Sequence, residues 1–388
     1  MFFFSSGDCI GVENPLLQYV TGKTQLCLRR VMQTQQDDAS PPPLALSLSL
    51  LSTFKPAKVF KDNTRPISSI SFDNTGELCV SSSSDESIHV YDCRQGKLQA
   101  TLYSKKYGVH LARFTHRSSN VIYASTKEDD TLRYLSLHDN KYIRYFRGHK
   151  KKVTAIEMSP LDDLFLSASM DETVRFWDLR SSSCQVRLPI FYRMNVIDVD
   201  DECLQGLLNT SGTPTVAFDP SGLTFAVGLN SETIKMYDVK TFDKGPFATW
   251  NLADSQTAHG FFSWTSLKFT NDGKHILVTT SGNTHYLVDA FEGNIKQRFE
   301  GHIGLQTPDN GGCDVGLTPD GRFVFAGSQD GNLCLWDIEN PNVDNKPIKV
   351  TRTEHTPLTC LGFNPKYTMM VTGNEELAIW QPDITMTV

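Results

Sequence analysis

Residues 148–178 hold one complete repeat whose parts recur along the chain, and that recurrence constrains the fold more than any other feature. The unit opens at Gly148-His149 and runs through the apolar strand Val153-Thr154-Ala155-Ile156-Glu157-Met158 to a turn at Ser159-Pro160. It continues through Ser167-Ala168-Ser169 and an acidic turn at Asp171-Glu172 into Thr173-Val174-Arg175-Phe176-Trp177-Asp178. Weaker copies end their first strand at Phe72, Phe114, Met158, Phe218, Phe269, Leu317 and Phe363. They close at Tyr91-Asp92, Leu137-His138, Trp177-Asp178, Tyr237-Asp238, Val288-Asp289, Trp336-Asp337 and Trp380. The intervening turns, such as Asp73-Asn74-Thr75-Gly76 and Asp219-Pro220-Ser221-Gly222, supply preset or positive φ at a hairpin. A unit of roughly 40–45 residues with this order of strands buries its faces only by stacking on copies of itself. Seven such units, from about residue 56 to 384, predict an all-β, seven-bladed β-propeller. Lys58-Val59-Phe60 precedes the first unit, and the last unit has no outer strand after Trp380. The early segment is therefore expected to supply that strand and close the ring without leaving an open edge.

The Gly-His opening and Trp-Asp closure make the unit a WD repeat. His149, Ser169 and Asp171, with Trp177, carry the residue types of a Ser-His-Asp site. In WD repeats such a set looks instead like a structural hydrogen-bond network that ties the entry loop to the strands. A second copy at His302, Ser328, Asp330 and Trp336 favours the structural assignment, since a catalytic triad has no need to recur in another blade. The histidines show no metal-ligand spacing, and no Gly-rich phosphate cradle follows a strand and opens a helix. No enzymatic activity and no cofactor are expected.

Charge and cysteine usage narrow the class further. The formal net charge of −7 argues against nonspecific nucleic-acid binding by bulk electrostatics, and no sequence-specific binding is expected. Nine scattered cysteines with no Cys-x-x-Cys pair fit a reduced intracellular compartment without a zinc site. Apolar runs are short, which suits strands rather than membrane spans.

Two segments break the rhythm. Residues 1–53 show no period, and they contain Gln35-Gln36-Asp37-Asp38, Pro41-Pro42-Pro43 and a Leu/Ser run from Leu44 to Ser52. They are expected to form a disordered extension ahead of a propeller spanning 54–384. A signal peptide is disfavoured by late basic residues and a distant, short apolar run. Gly22-Lys23-Thr24 imitates the end of a phosphate-binding loop, but Leu17 stands where the first glycine belongs. The second misfit is the step from Met158 to Phe218, 60 residues where the two preceding steps are 42 and 44. Removing Val186 through Gln205 brings that step to 40. Every Val codon begins GT, and Leu204-Gln205 can be encoded by a stretch ending TGCAG, so 186–205 reads either as an in-frame retained intron or as a genuine loop.

Further motifs are more specific than a blade needs merely to fold. Tyr103-Ser104-Lys105-Lys106-Tyr107-Gly108-Val109, the run Arg133 to Phe146, and Phe242-Asp243-Lys244-Gly245-Pro246-Phe247-Ala248-Thr249 are of this kind. Together with Ala57-Lys58-Val59-Phe60 and Phe363-Asn364-Pro365-Lys366, they resemble the WD-repeat subunit shared by COMPASS-type histone methyltransferase complexes and a nuclear phosphatase and transcript-termination complex. The likeness covers about 55–384 except 186–205, and the long N-terminal extension departs from it. It implies a non-catalytic nuclear scaffold that helps a Set1-type methyltransferase and other COMPASS subunits methylate histone H3 at active promoters. It also implies a link to the phosphorylated C-terminal repeats of RNA polymerase II. Lys105, Lys106, Arg144, Arg147, Lys150, Lys151 and Lys152 come from the second unit and its borders, and as one basic patch they would suit phosphorylated peptides. The plainer alternative is solvated loop charge. Phe165 through Arg180 also resembles the box by which WD proteins dock on the adaptor of cullin-4 ubiquitin ligases, with Arg180 as the contact beyond the ordinary repeat.

Overall fold

Strand alternation within each repeat sends successive side chains to opposite faces of a sheet, so both faces of a blade must be covered by neighbours. The computed structural model, which describes residues 46–181, 207–210, 212–252, 263–305 and 315–383, shows how this is met. The fold is all-β. Seven four-stranded antiparallel sheets follow one another, each a meander whose spatial order is its chain order except in the last. Blade 3 is typical, with strands Val153–Met158, Leu164–Ser169, Thr173–Asp178 and Leu207–Asn209 from the innermost outward. On it, Phe165 and Trp177 pack towards blade 2 against Phe146, Ile122 and Leu132. Their strand neighbours Leu166, Val174 and Phe176 pack the other way, against Val216, Phe218 and Phe225 of blade 4. The core is thus a set of seams between blades, and no blade has a core of its own.

The ring closes as the first segment predicts. Phe54–Phe60 pairs antiparallel with Leu377–Pro382 and becomes the outer strand of blade 7, whose order is otherwise Cys360–Phe363, Met370–Gly373, Leu377–Pro382. Phe60 completes the last seam, packing on Tyr91 with ring centroids 4.7 Å apart and joining Ile67, Cys79 and Val371 in one cluster. A turn contact reinforces it: Asn364 Nδ2 donates to the Gly76 carbonyl at 2.7 Å. Gly76 has φ of 71°, and a Cβ there would lie 2.3 Å from Asn364 Oδ1, so only glycine fits this approach.

The propeller is joined by residues earlier than 54. Residues 1–45, most of the expected extension, lie outside the described residues, but Leu48–Ser52 forms a short helix. Leu51 is buried, and with Phe54 it lines a small apolar space shared with Phe325, Leu335, Met370 and Trp380 of blades 6 and 7. Part of the Leu/Ser run is therefore structural, because its apolar residue finds a seam to fill.

Residues 186–205 also lie outside the described residues. They fall in the chain between the third strand of blade 3, Thr173–Asp178, and its outer strand, described from Leu207 to Asn209, rather than between blades 3 and 4. Leu207 stands opposite Arg175.

Candidate functional site

The residues that resemble a catalytic set are held by the entry loop of blade 3 and its second and third strands. His149 Nδ1 lies 3.0 Å from Asp171 Oδ2, and His149 Nε2 lies 2.6 Å from Ser167 Oγ. Trp177 Nε1 donates to the same Ser167 oxygen at 2.7 Å. The donors fix the tautomer. The ionised Asp171 can only accept, so His149 Nδ1–H donates to it, and the Ser167 hydroxyl, which accepts from the indole, donates its own hydrogen bond to His149 Nε2. Asp171 accepts further from Thr173 Oγ1 at 2.6 Å and from the Lys150 amide at 2.9 Å. The serine between His149 and Trp177 is Ser167, not the Ser169 expected from sequence. Ser169 instead donates to the Lys151 carbonyl at 2.8 Å and accepts the Asp171 amide at 3.1 Å, bracing the turn. Ser167–His149–Asp171 has the order of a hydrolase triad, yet Ser167 and the His149 side chain are wholly buried and the serine oxygen already holds the indole. No substrate reaches it, and the chain of bonds acts as a clamp.

The expected second copy does not form. In blade 6 the position matching Ser167 is Ala326, since Ala326 pairs with Cys334 as Ser167 pairs with Arg175. Without a hydroxyl there, Trp336 Nε1 turns to the carbonyls of Asn345 and Glu300, at 3.1 and 3.3 Å. His302 swings to blade 5, where its Nε2 donates to the Gly282 carbonyl at 3.1 Å and its ring stacks on His285 at 4.2 Å. Its Nδ1 has no partner. Ser328 accepts the Ile303 amide at 2.9 Å, as a turn brace like Ser169, and Asp330 binds Asn332. The Trp–hydroxyl bond reappears in blade 7, where Trp380 Nε1 donates to Thr372 Oγ1 at 2.7 Å.

Buried histidines make the fold acid-sensitive. Burial holds His110 down at about 3 and His302 at about 4, and it drives His285 well below its ordinary range. His149 is also lowered by burial, with Asp171 opposing the shift. A folded pKa below the unfolded one means the unfolded chain takes up protons first as pH falls. This stability is complete above about pH 6.5 and is lost as pH falls towards the folded values. We expect the free energy of unfolding in urea to drop between pH 7 and pH 5, by about 1–2 kcal/mol for each of His110 and His302, and the midpoint to fall with it. The loss should be smaller in His302→Gln. A midpoint unchanged over that range would contradict this account. Asp171 adds to the loss only at lower pH: burial raises its carboxyl, but His149, Thr173 and the Lys150 amide outweigh burial and hold it below the ordinary range.

The candidate basic residues divide between two places. Lys105 and Lys106 lie in the loop after the outer strand of blade 1, and Arg147, Lys150, Lys151 and Lys152 in the loop after that of blade 2. Both loops leave the same face of adjacent blades. The acidic turn of blade 2 stands between them: the Thr126 and Lys127 amides donate to the Tyr107 carbonyl, and Asp129 holds Arg133 at 3.0 and 3.1 Å. Arg144 is apart from these, half-buried in the middle of the blade 2 outer strand opposite Tyr134; the Asp178 carboxyl is lowered chiefly by its hydrogen bond with Arg180, and Arg144 adds a smaller charge effect. Arg180 lies on the opposite face. Its side chain is 72% exposed, but its guanidinium already grips Asp178 through Nε at 2.9 Å and Nη2 at 2.7 Å.

One feature that single-residue motifs did not reveal is Arg133. Its side chain is 3% exposed, with the guanidinium 3.5 Å from the centre of the Tyr107 ring and within 6.0 Å of Tyr142 and Tyr145. The alternation Arg133-Tyr134 and Tyr142–Tyr145 on paired strands was the available signal, because cross-strand neighbours share a face.

Among the described residues no group of three or more His, Cys, Asp or Glu side chains is placed to hold a metal, and no helix is long and apolar enough to cross a membrane. Known proteins give an independent comparison. The model of the WD domain, G-beta repeat family matches residues 54–92, 140–178 and 293–337. The chain is 45% identical over 337 residues to the WD repeat-containing protein 82 of Drosophila melanogaster, covering 86% of this chain and 96% of that one. It is 34% identical to the Set1 complex component swd2 of Schizosaccharomyces pombe, covering 87% and 99%. It is 36% identical to the COMPASS component SWD2 of Saccharomyces cerevisiae, covering 86% and 97%.

Proposed function

The chain belongs to the family of WD repeat-containing protein 82 and the Set1 complex component Swd2, and from that premise we propose that it is a non-catalytic scaffold subunit of a nuclear Set1-type histone H3 lysine methyltransferase complex. The observation that carries this reading is likeness over nearly the whole length of two relatives named as components of such complexes. The buried Ser167–His149–Asp171 chain agrees with a scaffold, since this catalytic-looking set is closed to substrate. Affinity purification of the tagged chain, followed by mass spectrometry, should recover a Set1-type methyltransferase and its COMPASS partners as the main species. Their absence would overturn the reading. The same purification with residues 186–205 deleted tests whether that segment, which precedes the blade 3 outer strand in the chain, blocks assembly.

Within that role, Lys105, Lys106, Arg147 and Lys150 to Lys152 form the surface for phosphorylated polymerase repeats. Charge-assisted hydrogen bonds from exposed amines suit phosphate. Reversing Lys150, Lys151 and Lys152 to Glu should abolish binding of a phosphorylated repeat peptide in fluorescence anisotropy while leaving the melting temperature unchanged. The clamp uses only the backbone groups of Lys150 and Lys151. Undiminished binding would remove the assignment.

A second reading, docking on a cullin-4 adaptor, has one supporting observation. Arg180 shares its face with exposed apolar side chains on the turns of blades 3 and 4, Leu161 and Leu223, which are 63% and 51% exposed. Against it, Asp178 already satisfies the guanidinium. Recovery of the adaptor with the intact chain, and its loss in Arg180→Ala, would favour this reading.

A further inference from the structure

The outer strands of four blades share a β-bulge at one place, and its occupants differ in kind. In blade 1, Val90 pairs with Ala100 and Tyr91 with Leu98, leaving Gln99 out of the ladder. In blade 5, Leu287 pairs with Gln297 and Val288 with Ile295, leaving out Lys296. In the closing strand of blade 7, Ala57 is skipped between Pro56 and Lys58. In blade 2, Tyr134 pairs with Arg144 and Leu135 with Tyr142, and the residue pushed out is Ile143. All four lie exposed on the rim. A bulged residue leaves the ladder and packs on nothing within its sheet, so the fold is served by a polar or small side chain there. Ile143 is a branched apolar residue that is 45% exposed.

Its surroundings are equally unusual. Tyr145, two residues on, is 39% exposed and stands on the buried Arg133, with the Arg147 guanidinium 5.9 Å from its ring centre. Tyr142 packs against Tyr145 at 5.5 Å and against Tyr107 at 6.0 Å, which fixes the loop bearing Lys105 and Lys106 beside the strand. Tyr103, where that loop begins, is 57% exposed beneath the Lys105 ammonium. Apolar and aromatic side chains thus stand on a cluster of tilted and edge-on rings, flanked by Arg144, Arg147 and Lys141, the last also pairing with Asp139 at 3.8 Å. Rigid aromatic anchors with flanking charge are the features of a protein-docking surface.

We propose that the rim of blade 2, centred on Ile143 and Tyr145, docks an acidic linear segment of another subunit of the complex, with an apolar residue of that segment packed on Ile143. The charge of the rim is complementary to such a segment on an otherwise acidic molecule of net charge −7. The bulge interrupts the edge ladder at Ile143, so docking is through side chains rather than by addition of a strand. The inference rests on membership of the methyltransferase complex.

The test introduces a photo-crosslinking amino acid, p-benzoylphenylalanine, at position 143 of the full chain, purifies the assembled complex and sequences the crosslinked peptide. The expected product is a subunit segment of net negative charge containing an aliphatic or aromatic residue. Ile143→Gln, which restores the kind of residue found at position 99, should cut recovery of the complex at least tenfold in a competition against the unaltered chain, with an unchanged melting temperature. A complex that assembles normally with no crosslink from position 143, or with a crosslink to a basic segment, overturns the inference while leaving complex membership intact. A crosslink only to a phosphorylated polymerase repeat overturns it too, by assigning the rim to a different ligand. Failure of the intact chain to enter the complex overturns the inference and the functional reading together.

Discussion

Replacing Trp177 with alanine should lower stability by about 3–5 kcal/mol, the largest effect expected of any single change in blade 3. Trp177 is wholly buried, packs against Phe146 at 5.6 Å and Phe165 at 6.2 Å, and lies at the seam that joins blades 2 and 3. Its removal opens a cavity bounded by two strands that cannot collapse without breaking register. It also strands the Ser167 oxygen, costing about 1 kcal/mol or more. A domain is typically stable by only about 5–15 kcal/mol, so much of the molecule's margin is lost. The clamp can be separated from the ring by comparing Trp177→Phe with Trp336→Phe. Both keep an aromatic ring and remove the N–H, but only the first breaks the chain through Ser167 and His149. The Trp336 N–H points to carbonyls at 3.1 and 3.3 Å, and the Asn345 carbonyl already accepts the Glu300 amide. Chemical denaturation should show the larger loss for Trp177→Phe. Equal losses would mean that the clamp adds nothing beyond ring packing.

That comparison also marks how far the sequence was legible. Blade number, six of the seven closing positions and the early strand that completes blade 7 followed from period and turn chemistry, because those depend on local spacing; blade 2 instead closes at Leu135-Ser136, two residues before the expected Leu137-His138, because its third strand carries no Trp-Asp pair to mark the row. The network in blade 3 was recognisable in kind, but its serine was misassigned. Ser167 and Ser169 are two residues apart on one strand and share a face, so alternation alone does not separate them. The distinguishing fact is cross-strand: Ser167 pairs with Arg175, two rows from Trp177 and on its face, whereas Ser169 pairs with Thr173 at the turn, four rows away. The same ambiguity made Ser328 look like a relay when Ala326 occupies that place. The basic patch was legible as composition only, since the carboxylates of Asp129 and Asp130 are folded between its two halves by a turn belonging to the intervening blade. Ile143 escaped notice because nothing in the sequence marks which residue of an outer strand is bulged.

Deleting residues 1–60 should destabilise the whole ring, whereas deleting 1–47 should leave the melting temperature within about two degrees, the scale of a change under 1 kcal/mol. The contrast follows from what each cut removes. The shorter deletion ends before Leu48 and spares every residue of the propeller unit. The longer one removes Phe60 from the seam of blades 7 and 1, Leu51 and Phe54 from the seam of blades 6 and 7, and the ladder along Leu377–Pro382. Phe60→Ala by itself should cost about 3–5 kcal/mol and Leu51→Ala about 2–3 kcal/mol. The full deletion also bares a regular edge carrying Ala378 and Ile379, which invites pairing with other chains. Differential scanning fluorimetry with light scattering should therefore show both a lowered transition and aggregation for the 61–388 chain. A deletion ending at 53 discriminates further: it keeps the closing strand but loses Leu51, so its transition should fall between the other two. If it instead melts with the 48–388 chain, the helix Leu48–Ser52 adds no stability and the propeller begins at Phe54.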